Sequence, residues 1–403
     1  MYMTGVEKGL NQERIQNRNR SLLLRLLRRE GLCSRAHLAK LSGLKQATVT
    51  NITSDLISWG VIKETGFLPG EKGRRSIGIS IDRDTYRILG IRLARKDYSL
   101  GLFNLFGESI ELNKTSISKD MPARAIFEEI LEKARKLIEK EKNSKVIAIG
   151  MAVPGPYSEK NGHIEMMTGV FGWERIHLRE ELEEEFHLPV FIEQDANAGA
   201  VAQFWFSSSE NEQEVLVYIA DGQGVGAGII SKGELMKGSI GMAGEIGHTS
   251  INYHGPRCAC GNYGCLENYC SSIAYTKEYN KTCGDNKEYT FAEVREKFME
   301  GDELAKKLYL QCCDYLAVGI VNIINGFNPS AVIIGDEMSH LDPKLMLSRV
   351  KKKVAERVLP SIYSNVQIKR SVVKGDSVSY GAAIVAIKNV FDHPKYYFCK
   401  EPA

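Results

Sequence analysis

Three cysteines within eight residues, preceded at ten residues' remove by a histidine, lie in the stretch "GHTSINYHGPRCACGNYGCLE", residues 247–267. His248, Cys258, Cys260 and Cys265 offer one imidazole and three thiolates, the donor set that tetrahedral zinc takes. Gly261 and Gly264 let the backbone turn tightly around an ion. Four protein ligands leave no position for water, so the expected cofactor is one structural Zn2+ per chain, pinning a loop. The competing account is a chance group of reduced thiols. A histidine that gives one ring nitrogen to a metal turns the other toward its surroundings, and here Glu245 and Glu267 flank it. An imidazole fixed between two carboxylates suits hydroxyl groups; the plainer account is a solvated loop with incidental acids.

This loop belongs to a chain of 403 residues, 43% hydrophobic and 26% charged. That is the balance of a soluble globular protein with room for two or three domains. The N-terminus lacks the basic-then-apolar order of a signal peptide, and no stretch reads as the roughly 20 apolar residues that cross a bilayer. The expected location is the cytoplasm, with no membrane partner. Nine cysteines, six of them scattered, do not form the framework of a secreted disulfide protein. Net charge is only +3, yet residues 1–82 hold 14 Lys and Arg against 7 Asp and Glu, and the remainder 39 against 43. The basic surplus is all at the front.

That front reads as a DNA-binding head over residues 1–82. Apolar residues recur at helical spacing from Arg18 to Glu30 (Leu22, Leu23, Leu26, Leu27) and Gly31 stops the run. Ser34 caps a short second helix, "RAHLAKLS", ended by Gly43; "KQATVTNITSDLISWG" is a third, with Val49, Ile52, Leu56 and Ile57 on its buried stripe. "VIKET" and "RSIGISI" alternate like two strands of a wing whose tip carries Lys72, Arg74 and Arg75. Together these make a winged helix-turn-helix. Gln46, Ala47, Thr48, Thr50 and Asn51, at the exposed start of the third helix, suit base edges in the major groove, and the wing cations suit phosphates or a narrow minor groove. The bland alternative is a three-helix protein-interaction module. Behind the head, "KVIAIGMAV" and "PVFIEQD" read as buried strands, and stretches such as 122–142 and 175–187 as helices, which gives an α/β class for residues 83–403.

From about Asn17 to Lys388 the sequence resembles the ROK family of sugar kinases and sugar-responsive repressors. The resemblance rests on "SRAHLAKLSGLKQATVT", "GRRS", "GMAVPGPYSEKNGHI", "FIEQDANAGA", "GQGVGAG", "GMAGEIGH", "CACGNYGCLE" and "NIINGFNPSAVIIGD". It implies a two-lobed fold of the actin and hexokinase (ribonuclease H-like) kind with a sugar in the cleft. By the same resemblance Gln194 and Asp195 take the place of the family's Asn-Asp sugar-binding pair, and Glu245, His248 and Glu267 match its other hydroxyl ligands. In the kinases the aspartate is also the general base that takes the proton of the attacking hydroxyl. The implied partners are double-stranded operator DNA carrying an inverted repeat, a mono- or small saccharide effector, and a second copy of the chain in a homodimer or higher homo-oligomer.

The nucleotide side departs from the kinase pattern. Where the kinases carry Asp-x-Gly-Gly-Thr, this chain has "GIRLARKDY", with Arg92 at the aspartate and Ala94, Arg95 and Lys96 at Gly-Gly-Thr. No group there holds magnesium. The second phosphate loop keeps Gly222, Gly224 and Gly226 but has Gln223 at its threonine, and the adenosine-side glycine pair is reduced to Gly335 followed by Asp336. The expected function is therefore a sugar-responsive repressor, not an enzyme. A ROK-type kinase with an appended DNA-binding domain is the alternative, favoured by sugar-dependent ATP consumption. A sugar-independent DNA-binding scaffold is the third account, favoured if no sugar alters DNA binding. Gln194 in place of asparagine, and "MTGVFGW" without the asparagine that often precedes Gly-Trp, leave the identity of the sugar open.

Overall fold

The computed structural model describes residues 12–68, 76–118, 121–158, 162–165, 172–207, 214–284, 287–373 and 375–399. The wing tip with Lys72, Arg74 and Arg75, and residues 167–171 of the "MTGVFGW" stretch, lie outside them. Helix α1 spans Gln12–Glu30, starting before the expected Arg18. Its buried stripe runs through Arg20, Leu23, Leu24 and Leu27, at helical intervals of three and four. Leu22, read from the sequence as part of that stripe, is exposed because it lies a third of a turn to one side. Strand β1 (Cys33–Ser34) leads into α2 (Arg35–Ser42), whose first turn is capped by Ser34 Oγ accepting from His37 N at 3.2 Å. Gly43 ends α2 at φ +68°. Helix α3 spans Gln46–Ser58 and buries Val49, Ile52 and Leu56, with Ile57 only half-buried. Strands β2 (Ile62–Leu68) and β3 (Ser76–Ile81) are antiparallel and form a sheet in the order β1-β3-β2.

The first lobe opens with a meander of β4 (Tyr86–Leu93), β5 (Asp97–Phe103) and β6 (Ser109–Ser116). Helix α4 (Ala123–Lys140) carries the chain to β7 (Lys145–Val153), which runs parallel to β4. A hairpin of β8 (Tyr157–Ser158) and β9 (His163–Ile164) and helix α5 (Leu178–Phe186) precede β10 (Val190–Gln194), parallel to β7. The sheet order is β10-β7-β4-β5-β6. Helix α6 (Asp195–Phe206) leaves β10 without a connecting loop.

The second lobe repeats this plan. Strands β11 (Val215–Asp221), β12 (Val225–Ser231) and β13 (Glu234–Leu235) form its antiparallel part. Helices α7 (Glu267–Cys270), α8 (Ser272–Thr282), α9 (Phe291–Glu300) and α10 (Glu303–Phe327) follow. Then come β14 (Ala331–Gly335), α11 (Pro343–Ala355), α12 (Pro360–Tyr363) and β15 (Gln367–Arg370). The order is β13-β12-β11-β14-β15, with β11, β14 and β15 parallel. Three parallel strands extended by antiparallel ones, twice over, make the two-lobed actin and hexokinase-like fold. Helix α10 is long and apolar enough to cross a membrane, a candidate that the sequence reading missed. Its Leu308, Leu316, Ile320 and Ile324 fill the second lobe's core, which accounts for its hydropathy.

Helix α13 (Ser377–Asp392) returns to the first lobe, and α14 (Pro394–Phe398) packs on α1. Helix α13 lies on β4, β7 and β10, α6 lies on β11 and β12, and the two helices pack face to face. Small residues make this contact close: a Cβ on Gly381 would sit 2.1 Å from the Ala198 carbonyl oxygen, and one on Gly228 2.4 Å from that of Ala196. One apolar core runs from Leu23, Leu27 and Val49 of the head through Trp205, Ala382 and Phe391 of these helices. Gly381→Ala must push the α6 backbone away, so it should destabilise the protein by about 1–3 kcal/mol. The measurement is the urea midpoint, with far-UV circular dichroism to check helix content; an unchanged midpoint means that the helix pair has slack.

Candidate functional site

A cavity of about 490 Å3 lies between the lobes, and Gln194, Asp195, Glu245, His248 and Glu267 all line it. Strand β10 delivers Gln194 and α6 begins at Asp195, so this pair projects from the C-terminal edge of the first sheet, where open α/β sheets hold ligands. The Gln194 side chain is buried, and its Nε2 has no partner among the described residues. An amide in that state calls for a ligand oxygen. A Cβ on Gly155 would lie 3.1 Å from both Gln194 Oε1 and Glu245 Oε1, so the two side chains meet at one wall. Asp195 Oδ1 accepts from Ala196 N at 2.6 Å. Burial pushes the Asp195 carboxyl up to about 6; Arg92 works against this and Asp336 adds to it. Burial, with Asp195 and Glu267 nearby, likewise lifts Glu245 to about 7. Glu267 opens α7, and its Oε2 accepts from Val225 N at 3.1 Å, with Arg95 at 3.9 Å.

His248, Cys258, Cys260 and Cys265 form a group able to hold a metal ion, all four donor atoms lying within 4.8 Å of one another. His248 Nδ1 stands 3.7 Å from Cys258 Sγ, and Cys260 Sγ 3.7 Å from Cys265 Sγ. A tetrahedral ion with thiolates at about 2.3 Å sets them about 3.8 Å apart, so the donors already stand at the edges of such a polyhedron. The loop that carries them is sewn to the cavity wall. Ala227 N of β12 donates to Gly244 O at 2.8 Å, and Asn262 Nδ2 donates to the His248 carbonyl at 2.9 Å. Exposed His254, in the same stretch, stands apart from the group.

The opposite side of the cavity is filled by the chain's own cations. Arg92, buried in β4, bonds Asp336 Oδ2 through Nη2 at 3.2 Å and pairs with Asp376 through Nη1. Burial works against its charge, and Asp376 and Asp336 more than offset it. Arg95 Nη1 donates to the Gln223 carbonyl at 3.3 Å, closing over the loop that the sequence marks as a phosphate loop. Asp336 has φ +73° and ψ −169°, a conformation that is essentially glycine's alone. Its place after Gly335 hinted at an altered site; nothing in the sequence hinted that Asp376 joins it.

On the head, Gln46, Ala47, Thr50 and Asn51 are exposed and Thr48 is half-buried. Thr50 Oγ1 donates to the Gln46 carbonyl at 2.9 Å, so its proton is committed within the helix. From behind, Arg20 pairs with Asp55 at 2.7 Å, and Arg35 reaches both Thr53 and Glu64, which fixes how α3 is presented.

A three-helix winged head joined to a two-lobed body whose cleft is lined by carboxylates, an amide, an imidazole and guanidinium groups defines the class of the molecule. The chain belongs to the ROK family, whose profile matches residues 88–389. It is 30% identical over 401 residues to the xylose repressor of Caldicellulosiruptor bescii, covering 96% of this chain and 99% of that one. Its structure is similar to that of a ROK family transcriptional regulator, a homologue of the E. coli MLC protein (TM-score 0.78, 26% identity, 94% and 98% of the two chains). A ROK hexokinase from Thermus thermophilus is also similar (TM-score 0.63, 26% identity), but over 76% of this chain and 99% of its own.

The raised Asp195 pKa has a consequence for stability. A carboxyl titrating at about 6 when folded, against 3.8 ordinarily, holds its proton better in the native state, so the stability it contributes falls as pH rises from about 4 through 6. Asp195→Asn removes that charge. It should raise the melting temperature at pH 7.5, and by a smaller amount at pH 5; an equal change at both values would contradict the assignment.

Proposed function

We propose that the chain is a sugar-responsive transcriptional repressor. Residues 1–82 form its operator-reading head, and residues 83–403 its sugar-binding domain. The observation that carries this reading is the cleft: its hydroxyl-binding side chains face one cavity, while Arg92 and Arg95 take up the side where a kinase needs room for phosphate and magnesium. Gln194, Asp195, Glu245, His248 and Glu267 hold the sugar. One zinc on His248, Cys258, Cys260 and Cys265 holds the imidazole in place from behind. Gln46, Ala47, Thr48, Thr50 and Asn51 meet base edges, and Lys72, Arg74 and Arg75 meet the DNA backbone or minor groove. Two copies of the chain pair their heads on an inverted repeat, in the cytoplasm.

D-Xylose is the first effector to test, because the chain is similar over almost its whole length to a xylose repressor. The protein is first used to select its operator from random-sequence duplex DNA. Operator affinity is then titrated with and without D-xylose, N-acetylglucosamine and their phosphates. The sugar that binds should release the operator by about 5- to 150-fold. Asp195→Ala and Glu245→Ala should still bind operator but no longer respond. An operator affinity that no sugar changes would overturn the sensor reading, and sugar-dependent ATP turnover abolished by Asp195→Asn would favour the kinase. For the metal, elemental analysis should find one zinc per chain. Cys265→Ala should lose it and weaken the sugar response, although Cys265 donates toward the metal and not toward the sugar; an intact response would mean that zinc does not organise the cleft.

A further inference from the structure

Helices α6 and α13 both begin in the cleft and both end on the head. Asp195, of the cavity wall, is the first residue of α6, and Trp205 lies in its last turn. Asp376, the partner of Arg92, caps α13, and Asp392 is its last residue. Because α6 lies on the second lobe's sheet and α13 on the first, the boundary between the lobes runs between these two helices. At the far end Trp205 Nε1 donates to the Phe106 carbonyl, in the β5–β6 turn, at 2.8 Å. That bond pins the end of α6 to the first lobe. A cleft that opens and closes while this end stays pinned must pivot here.

Helix α1 of the head sits across the pivot and grips both sides. Its Arg28 guanidinium stacks 4.2 Å above the Trp205 indole and donates to the Trp205 carbonyl. One turn earlier Arg25 pairs with Asp392, and Ser21 Oγ donates to the same carboxylate at 3.2 Å. The remainder of the head is tied to the first lobe and its tail: Tyr86 Oη donates to the Trp59 carbonyl at 2.6 Å, and Lys395 reaches Glu13 at 2.8 Å. The head therefore rides on the first lobe, while Arg28 touches the helix that belongs to the second. We propose that α1 reads the angle between the lobes, with Arg28 on Trp205 as the contact through which rotation of α6 turns the head. Trp205 stays with the first lobe at the pivot while α6 turns about it, so the indole and carbonyl that Arg28 holds change orientation relative to Asp392, one turn of α1 away. When α6 pivots, Arg28 must either follow it and reorient the head or lose its seat. Arg28 is thus a positioning residue for the DNA response, remote from sugar and operator alike. At the cleft end, the Arg92 bridge to Asp336 fastens the same two bodies together.

The inference rests on the repressor reading for its operator, and its test works without sugar. In the full-length chain, operator affinity is measured for wild type, Arg92→Gln, Arg28→Gln and the double variant, on the operator that wild type selects from random DNA. Loosening the cleft by Arg92→Gln should change operator affinity on the order of 5-fold. The same change made in the Arg28→Gln background should have no effect, and Arg28→Lys should restore part of it. Equal effects of Arg92→Gln in both backgrounds, or none in either, overturn the proposal. Asp336→Asn weakens the same bridge while leaving Arg92 paired with Asp376, and replaces Arg92→Gln if melting curves show that variant unfolded. A parallel titration with D-xylose separates the two readings. Release that is equal in wild type and Arg28→Gln sinks the pivot and keeps the sensor, whereas a coupled cycle in a chain that no sugar affects does the reverse.

Discussion

A guanidinium buried at the floor of the cleft needs carboxylates, and much of this molecule is arranged around supplying them. Arg92, which the resemblance sets against an aspartate of the family's kinases, takes its partners from the end of β14 in the second lobe and from the cap of α13. Breaking a buried pair by removing one member commonly costs about 3–5 kcal/mol, because the charge left behind is uncompensated. Asp336 meets the need from a backbone conformation suited to glycine, at a strain of about 1–3 kcal/mol. Its Oδ1 accepts from Glu337 N at 2.9 Å, which helps hold it there. The cation at position 92 and the acid at position 336 belong together: paired, they brace the two lobes across the cleft.

The other side of the cavity is held by different means. Glu245 and His248 belong to a loop with little regular structure of its own, positioned by backbone bonds to β12 and by the four-donor metal group. Glu267 is placed by the start of α7 and by the amide of Val225. The cavity thus has one wall set by strand and helix termini and another set by a loop tied to β12.

Local chemistry was legible in the sequence wherever short-range rules decide the outcome. The group of metal donors, the Ser34 cap, the Gly43 stop, the exposed start of α3 and the strands β7 and β10 all follow from spacing and residue type within short stretches of chain. Glu245 and Glu267 were legible as acids beside His248, but their grouping with Gln194 and Asp195 came from resemblance, because these residues are far apart in the chain and only the fold of two sheets brings them to one cavity. What stayed hidden was long-range and charged. Asp376 meets Arg92 from 284 positions away, and Asp392 meets Ser21 across 371; no periodicity reports such contacts. The exposed Leu22 and the apolar α10 show the same limit from another direction, since a hydrophobic pattern does not name the surface that will cover it.

The core that joins Leu23, Leu27 and Val49 to Trp205, Ala382 and Phe391 bears on how such proteins diversify. A head that merely hung from a linker could be exchanged between receptors by recombination at the joint. Here the joint is itself a packed interior, so a transplanted head would arrive with the wrong shape for its seat. On the docking proposed for α3, new operator specificities arise chiefly by substitutions on its exposed face, with the inner faces inherited together with the receptor beneath them.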